Sequence, residues 1–212
     1  MQTIEKKDLP VLFVRLRDVM LANREQLIDL DGIVGDSDLG LTMGKAFSAA
    51  SDAVSANAAD GIGRTLQLAG MAAAKAAPST MGTLVATGFM RGGKTLDGVE
   101  AMATAEMARF WAAFLTGVME RGKAQRGDKT AVDVLGPVSD ALAASVAAGA
   151  ALDMALAEAD RAARAGLEAT KGMMAQHGKA ACFREKTIGL EDAGAMVIVL
   201  MVDALSAFVA EH

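Results

Sequence analysis

The chain has 212 residues and a formal net charge of −5. This acidic balance argues against nucleic acid as the main partner, because phosphate backbones attract clustered Lys and Arg side chains. Hydrophobic residues make up 52% of the chain and aromatic residues only 4%, a composition that favours closely packed helices over sheets. The length suits one sizeable hydrophobic core, so we expect a single domain over residues 1–212.

Targeting and redox features favour a cytoplasmic protein. Residues 1–8 are charged and lack the apolar centre of a signal peptide. The longest apolar runs, residues 141–152 and 193–202, are shorter than the roughly 18 residues that a membrane span needs, so we predict no membrane association. The lone Cys182 excludes an internal disulfide.

Apolar residues at helical spacing organise the first half of the chain. Pro10 suits a first helical position, and Ser79 with Thr80 suits a helix start. Asp60 and Gly61 predict a turn. The helices predicted here, numbered one to four, cover residues 9–28, 41–57, 62–76 and 79–91.

The second half of the chain follows the same pattern and ends with a long loop before the last helix. We predict that loop over residues 177–193. Helices five to eight are predicted over residues 97–121, 130–147, 152–176 and 194–209. Short connections imply antiparallel neighbours, so the expected fold is all-α with an up-and-down arrangement.

Alternate connections of an up-and-down arrangement lie at the same end of the molecule. The connections that follow helices one, three, five and seven should therefore meet. They carry carboxylates, hydroxyls, helix N-termini and basic side chains, a combination that suits the phosphates of a nucleotide. These connections include residues 31–40, 78–80, 122–130 and 179–192.

Three aspartates lie in the first of these connections. Asp31, Asp36 and Asp38 fall close together with glycines among them, so we expect a loop. Crowded carboxylates repel one another unless a cation holds them, and oxygen-only ligands suit Mg²⁺. The alternative is an acidic, solvated turn. An EF-hand is excluded, because its obligatory Gly and Glu positions hold Leu41 and Phe47.

A second motif matches the phosphate-binding loop of nucleotide-binding α/β proteins. Residues 88–95 satisfy G-x-x-x-x-G-K-[ST], with Lys94 at the position of the phosphate-binding lysine. That motif works only between a strand and a helix. The chain shows no alternation of strands and helices, so we interpret residues 88–95 as a helix C-terminus with glycine caps.

Several short motifs follow one another along the chain. They are Asp31-x4-Asp36-x-Asp38-x-Gly40, Gly82-Thr83, Arg121-Gly122-Lys123-Ala124, Gly127-Asp128-Lys129-Thr130-x2-Asp133, Gly178-Lys179-Ala180, Ile188-Gly189 and Asp192-x-Gly194-Ala195. In this order they make the chain resemble the nucleotide-binding L subunit of dihydroxyacetone kinases over nearly its whole length.

The resemblance implies a barrel of eight antiparallel amphipathic helices that holds ADP or ATP at one end. It implies two Mg²⁺ bound by Asp31, Asp36 and Asp38, which would be both metal ligands and catalytic residues. The implied nucleotide-binding residues are Leu39, Gly40, Thr42, Ser79, Thr80, Gly122, Lys129, Thr130, Lys179, Asp192 and Gly194. Members of the family pass a phosphoryl group to dihydroxyacetone that is held covalently by a His of a separate subunit or domain. Some use ATP directly, and others keep ADP bound and are recharged by a phosphotransferase-system protein.

Two positions depart from the family pattern. Leu39 stands where the family often has His, and Thr42 stands where it often has Asn, so a related ketose remains open as acceptor. We prefer a phosphotransferase subunit of a dihydroxyacetone or related ketose kinase. The alternatives are a Mg²⁺-dependent phosphohydrolase and a non-catalytic regulator that binds a nucleotide or a lipid. A homodimer is left open.

Overall fold

The structure is a computed structural model that describes residues 2–56 and 61–212. It is all-α, as the sequence predicts, apart from two short paired strands. Within the described residues the helices are α1 (Leu9–Ala22), α2 (Arg24–Val34), α3 (Leu39–Ala56), α4 (Ile62–Ala76), α5 (Thr80–Lys94), α6 (Thr104–Gly122), α7 (Val132–Ala147), α8 (Leu152–Thr170) and α9 (Ala193–Glu211). The strands are β1 (Ile4–Glu5) and β2 (Ala101–Met102), and 3-10 helices cover Lys6–Asp8 and Ala180–Thr187.

The first predicted helix is divided into two, α1 and α2. The break lies at Asn23, whose side-chain amide donates to the carbonyl oxygen of Val19 at 2.8 Å. Such local bonding competes with the helical ladder, which explains why the helix stops where its apolar pattern continues. The prediction of one helix over residues 9–28 is therefore wrong. In α2 only Leu27 is fully buried, so this helix lies on the outside of the fold.

Other predicted boundaries also differ. Helix five begins at Thr104 and not at residue 97, because Met102 pairs with Ile4 of the N-terminal strand, a contact that no local pattern reveals. The helix predicted over residues 152–176 ends at Thr170. Part of the predicted loop 177–193 is a 3-10 helix. The predicted turn at Asp60 and the end of helix two at residue 57 lie outside the described residues.

Packing order follows chain order and closes on itself. From α3 to α9 each helix packs against the next, α3 also packs against α1, and α9 returns to α1. A Cβ added at Gly88 would lie 2.3 Å from the Phe114 ring, and one at Gly122 would lie 3.3 Å from Leu84. Residues later in α5 thus contact residues earlier in α6, so these two helices are antiparallel.

The phosphate-loop look-alike is part of a packed helix. Gly92 and Gly93 lie inside α5, which continues to Lys94 and does not end near residue 91. A Cβ at Gly92 would lie 2.5 Å from Phe110, and a Cβ at Gly93 would lie 2.7 Å from the carbonyl oxygen of Gly63. These glycines therefore permit close approach of α6 and α4, and the interpretation as helix caps is corrected. Rejection of a phosphate loop stands.

Apolar side chains fill the space between the helices. Phe89 on α5 is central, with ring centroids 5.5 Å from Phe13 and 5.6 Å from Phe114. Helix α9 is long and apolar enough to cross a membrane by length and composition, yet 67% of its most apolar window is buried inside the fold. That burial is typical of a core helix. Because apolar side chains fill the space between the helices, the candidate polar site lies in the connections at the helix ends.

Candidate metal and nucleotide site

The three predicted metal ligands converge. One oxygen from each of Asp31, Asp36 and Asp38 lies within 4.8 Å of the others, and these three residues are called the carboxylate cluster below. Asp31 belongs to the last turn of α2, whereas Asp36 and Asp38 lie in the connection to α3. The expectation of a loop throughout residues 31–40 is therefore wrong at both ends, since Leu39 already begins α3.

Backbone contacts hold the carboxylate cluster together. Asp31 Oδ2 accepts hydrogen bonds from the backbone N–H groups of Asp38 at 3.0 Å and Leu39 at 3.4 Å. Asp31 thus supplies an acceptor to the open N-terminus of α3. A Cβ at Gly35 would lie only 2.1 Å from Asp31 Oδ1, so only glycine fits beside this carboxylate. Ser37 adopts φ 61°, which turns the chain between the two exposed aspartates.

The charge of the carboxylate cluster is incompletely compensated. Burial raises the pKa of Asp38, and the negative charges of Asp36 and Asp31 raise it further. Lys179 donates a hydrogen bond to Asp36, and this contact raises the pKa of the lysine. Three carboxylates face one ammonium, and every ligand atom is oxygen. This donor set fits a hard divalent cation such as Mg²⁺.

Cross-contacts bring the predicted connections to the same end of the molecule. Lys179 reaches the carboxylate cluster from the connection between α8 and α9. A Cβ at Gly194 would lie 3.5 Å from Met81 Sδ, so the starts of α9 and α5 are neighbours. His177 Nε2 lies 3.0 Å from Asp128 Oδ2, which joins the connection after α6 to the connection after α8. Lys94, at the far end of α5, is separated from this site by the length of the helix, roughly 20 Å.

The N-termini of α5 and α9 also lie at this end. Ser79 caps α5 by accepting the N–H of Gly82 at 3.0 Å, and Thr80 is exposed beside it. Asp192 caps α9 by accepting the N–H of Ala195 at 2.8 Å. Burial raises the pKa of Asp192 to about 6, partly opposed by the Ala195 N–H group and a nearby lysine. Helix N-termini of this kind attract phosphate.

Lys129 is placed differently from Lys179. Its side chain is buried, at 2% exposure, and Nζ donates to the carbonyl oxygens of Thr170 at 2.6 Å and Leu190 at 2.5 Å. Burial lowers its pKa. Asp133 accepts the N–H groups of Thr130 at 2.8 Å and Gly127 at 2.5 Å. Lys129 therefore ties the connection after α6 to the end of α8, and Asp133 fixes the same connection to the start of α7.

The predicted nucleotide-binding residues at the start of α3 take part in the packing and hydrogen bonding of this helix. The side chain of Leu39 is 7% exposed and lies in the core. A Cβ at Gly40 would lie 2.1 Å from the carbonyl oxygen of Arg24, so this glycine brings α2 close to α3. Thr42 donates its N–H to the carbonyl oxygen of Asp38 at 2.9 Å. Gly122 closes α6 at the same end.

Sequence reasoning missed residues that shape the connection between α8 and α9. His177 pairs with Asp128, 49 positions away. Thr187 is buried, accepts the N–H of Ala175 at 3.0 Å and donates to the carbonyl oxygen of Arg184 at 2.7 Å. Neither contact has a local signal, because both partners become neighbours only after the helices pack.

Comparison with known proteins matches this chain to the DAK2 domain over residues 33–207. The chain is 31% identical over 192 residues to the "PEP-dependent dihydroxyacetone kinase, ADP-binding subunit DhaL" of Escherichia coli, and the match covers 91% of each chain. It is 34% identical over 193 residues to the L-erythrulose kinase of Pectobacterium atrosepticum, covering 90% of this chain and 33% of that relative.

A solved structure shares the fold. The dihydroxyacetone kinase from C. freundii in complex with AMP-PNP and Mg²⁺ superposes with a TM-score of 0.71 at 21% identity, covering 98% of this chain and 35% of that one. The chain thus spans nearly the full length of the E. coli subunit but only about a third of the erythrulose kinase and of the C. freundii enzyme.

Proposed function

The chain belongs to the DAK2 domain family, and from that premise we propose that it is the nucleotide-binding subunit of a dihydroxyacetone or related ketose kinase. Its reaction is transfer of a phosphoryl group from a Mg²⁺-bound nucleotide to a ketose held by a partner subunit. The relative that it matches from end to end is named as such an ADP-binding subunit.

The observation that carries this proposal is the convergence of the carboxylate cluster with three helix N-termini. Asp31, Asp36 and Asp38 supply oxygen ligands, while α3, α5 and α9 begin at the same end of the fold. Phosphoryl transfer depends mainly on positioning and charge stabilisation, so a site of this composition suits it.

Each part of the site has a distinct assignment. The carboxylate cluster holds Mg²⁺, with two ions as the finer proposal. Backbone N–H groups at the starts of α5 and α9, near Thr80 and Gly194, receive phosphate oxygens. When bound, Mg²⁺ supplies positive charge that offsets the charge on the transferred phosphoryl group. Lys129 and Asp192 keep the surrounding connections in place.

The acceptor side of the reaction is assigned to another protein. Transfer to a ketose requires that the ketose be held in position, and it usually requires a base that accepts the proton of the attacking hydroxyl. His177 is engaged with Asp128, His212 contacts the carbonyl oxygen of Phe208 at the far end of α9, and the side chain of Leu39 lies in the core. We therefore propose that a substrate-binding subunit holds the ketose on its own His.

An exposed apolar rim beside the carboxylate cluster suits docking of that subunit. Ile33, Leu41, Phe183 and Ile188 expose between 40% and 53% of their surface. They flank the cluster on α2, on α3 and on the connection that carries Lys179. Apolar side chains around a charged centre exclude water once a partner covers them, which favours transfer to the ketose over hydrolysis.

The name of the relative of matching length supports a proposal for the phosphoryl donor. That protein is described as an ADP-binding subunit of a PEP-dependent kinase. We propose that ADP stays bound to this chain and is recharged by a protein of a phosphotransferase system. Direct use of ATP is the competing possibility, and the assay below separates the two donors.

The test is a transfer assay followed by ³¹P NMR. The purified chain, loaded with Mg²⁺ and either free ATP or bound ADP together with PEP and the proteins of a phosphotransferase system, is mixed with dihydroxyacetone or erythrulose, with and without a substrate-binding subunit. We expect sugar phosphate only when that subunit is present, and none from an Asp38→Asn control. Sugar phosphorylation by the isolated chain would contradict the division of labour. Phosphate release without acceptor would indicate a phosphohydrolase, and binding without turnover would indicate a regulator.

A further inference from the structure

Lys179 occupies the carboxylate cluster itself. Its ammonium donates a hydrogen bond to Asp36 Oδ2, and its charge also acts on Asp38 and Asp31. The side chains of Lys179 and Asp36 are 63% and 42% exposed. Both partners can therefore exchange with ions from solvent, in contrast to a buried ion pair.

The segment that carries Lys179 is anchored at its two ends. On one side His177 contacts Asp128 at 3.0 Å, and on the other Gly189 N donates to the carbonyl oxygen of Lys171 at 2.7 Å. Between these anchors the 3-10 helix Ala180–Thr187 is largely exposed, and its main packing partner is α2. Thus the middle of the segment can detach without disturbing the helical ring.

An ammonium and a divalent cation compete for the same carboxylate oxygens. A divalent ion attracts each oxygen more strongly at similar distance, because the Coulomb energy scales with charge. An exposed Lys–Asp pair is weak, so the ion would win the competition. The lysine would lose its hydrogen bond, and the segment would lose this contact with the carboxylate cluster.

We propose that Lys179 is a stand-in cation that holds residues 179–186 against the carboxylate cluster until a divalent ion displaces it. The proposal rests on the metal assignment made under the proposed function and adds a regulatory step to it. Metal binding releases Lys179 and opens the approach to the cluster from the side of the connection between α8 and α9. The position of the segment thus depends on whether a divalent ion is bound, already before the nucleotide binds.

Metal affinity without nucleotide tests the competition. Mn²⁺ is titrated into the wild-type chain and into Lys179→Met, and free Mn²⁺ is followed by electron paramagnetic resonance. Removal of the competing ammonium should tighten Mn²⁺ binding by about two- to fivefold, the range expected for an exposed ion pair. Lys186→Met removes the same charge from the same exposed segment and should leave the affinity unchanged.

Hydrogen exchange tests the release directly. In the wild-type chain, deuterium uptake over residues 179–186 should rise when Mg²⁺ is added without nucleotide. In Lys179→Met the uptake should already be high and should not respond to Mg²⁺. Uptake across α5 and α6 serves as the internal reference, because these helices lie outside the segment and its anchors.

Three results would overturn the inference. Equal Mn²⁺ affinity of the wild type and Lys179→Met, with no exchange response, would show that Lys179 does not compete with the metal. The metal assignment itself would stand. Equal tightening in Lys179→Met and Lys186→Met would reveal a general effect of charge. Absence of Mn²⁺ binding in every variant would overturn both this inference and the metal assignment on which it rests.

Discussion

Two regions of the molecule place acidic side chains around one lysine, with opposite consequences. In the carboxylate cluster, Lys179 is exposed and compensates only part of the charge of three aspartates. In a second region, called the Lys129 junction, a buried lysine is bonded to the carbonyl oxygens of Thr170 and Leu190 near Asp192 and Asp133. The exposed region is left able to bind a cation, and the buried region holds the chain in place.

The difference lies in how completely the polar groups find partners within the protein. Asp133 accepts two backbone N–H groups, Asp192 accepts the N–H of Ala195, and the Lys129 ammonium donates to two carbonyl oxygens. Buried polar groups need such partners, because an unpaired one costs about 1–3 kcal/mol. The carboxylate cluster is exposed and escapes that requirement, so its charge remains available for a ligand.

The largest expected effect comes from removing a ligand of the carboxylate cluster. Asp36→Ala or Asp38→Ala should weaken Mg²⁺–ADP binding by about a hundredfold or more, since even outer-shell partners of metal sites cost 10–100-fold. The unfolding midpoint should change little, because the three carboxylates repel one another. Isothermal titration calorimetry measures the affinity. Asp52→Ala, an exposed aspartate on α3, is the matched control, and an affinity equal to wild type in Asp38→Ala would refute the assignment.

A smaller effect, on stability, is expected in the Lys129 junction. Lys129→Met removes both hydrogen bonds of the buried ammonium, so the Leu190 carbonyl oxygen loses this donor while the Thr170 carbonyl oxygen keeps the N–H of Met173. The free energy of unfolding should therefore fall by about 1–3 kcal/mol. Urea denaturation followed by circular dichroism measures this change. Lys179→Met is the comparison, and its unfolding midpoint should stay near that of the wild type. Equal midpoints for both variants would mean that burial does not distinguish the two lysines.

The pH dependence of stability sharpens the same contrast. The folded pKa of Asp192, about 6, lies above its value in an unfolded chain, so the folded state holds the proton more tightly. Stability from this group is present below pH 4 and is lost as the pH rises through 6. Between pH 4.5 and 7 the wild type should lose on the order of 1–2 kcal/mol more than Asp192→Asn, which keeps a capping side chain.

Urea denaturation across this pH range provides the measurement for Asp192. Asp153→Asn, which neutralises an aspartate near the start of α8, controls for a general change of charge. If Asp192→Asn and the wild type show parallel pH profiles, the raised pKa of Asp192 is refuted.

The smallest effect is expected at Lys94. Lys94→Ala should leave Mg²⁺–ADP affinity within about twofold and stability within about 0.5 kcal/mol, because the side chain is exposed and lies far from the carboxylate cluster. Calorimetry on Lys94→Ala beside Asp38→Ala makes the comparison in one experiment. A large loss of binding in Lys94→Ala would revive the phosphate-loop interpretation and place the nucleotide at the opposite end.

Local pattern was sufficient for much of the fold. Apolar residues at helical spacing predicted the position of every α-helix, apart from the division of the first at Asn23. This succeeds because the spacing of apolar side chains shows which face of a helix is buried. Short connections then fixed which ends meet. For the same reason the three aspartates could be grouped before any coordinates, since they lie within one short stretch of chain.

Tertiary packing determined the roles of side chains that no local sequence pattern predicts. Lys129 and Lys179 both stand in basic, glycine-containing motifs, and sequence assigned both to the nucleotide. Only the meeting of α8 with the connection after α6 buries Lys129, and only the path between α8 and α9 brings Lys179 to Asp36. The role of a side chain depends on which partners surround it, and partners that are 41 to 143 positions apart in the sequence are brought together by tertiary packing.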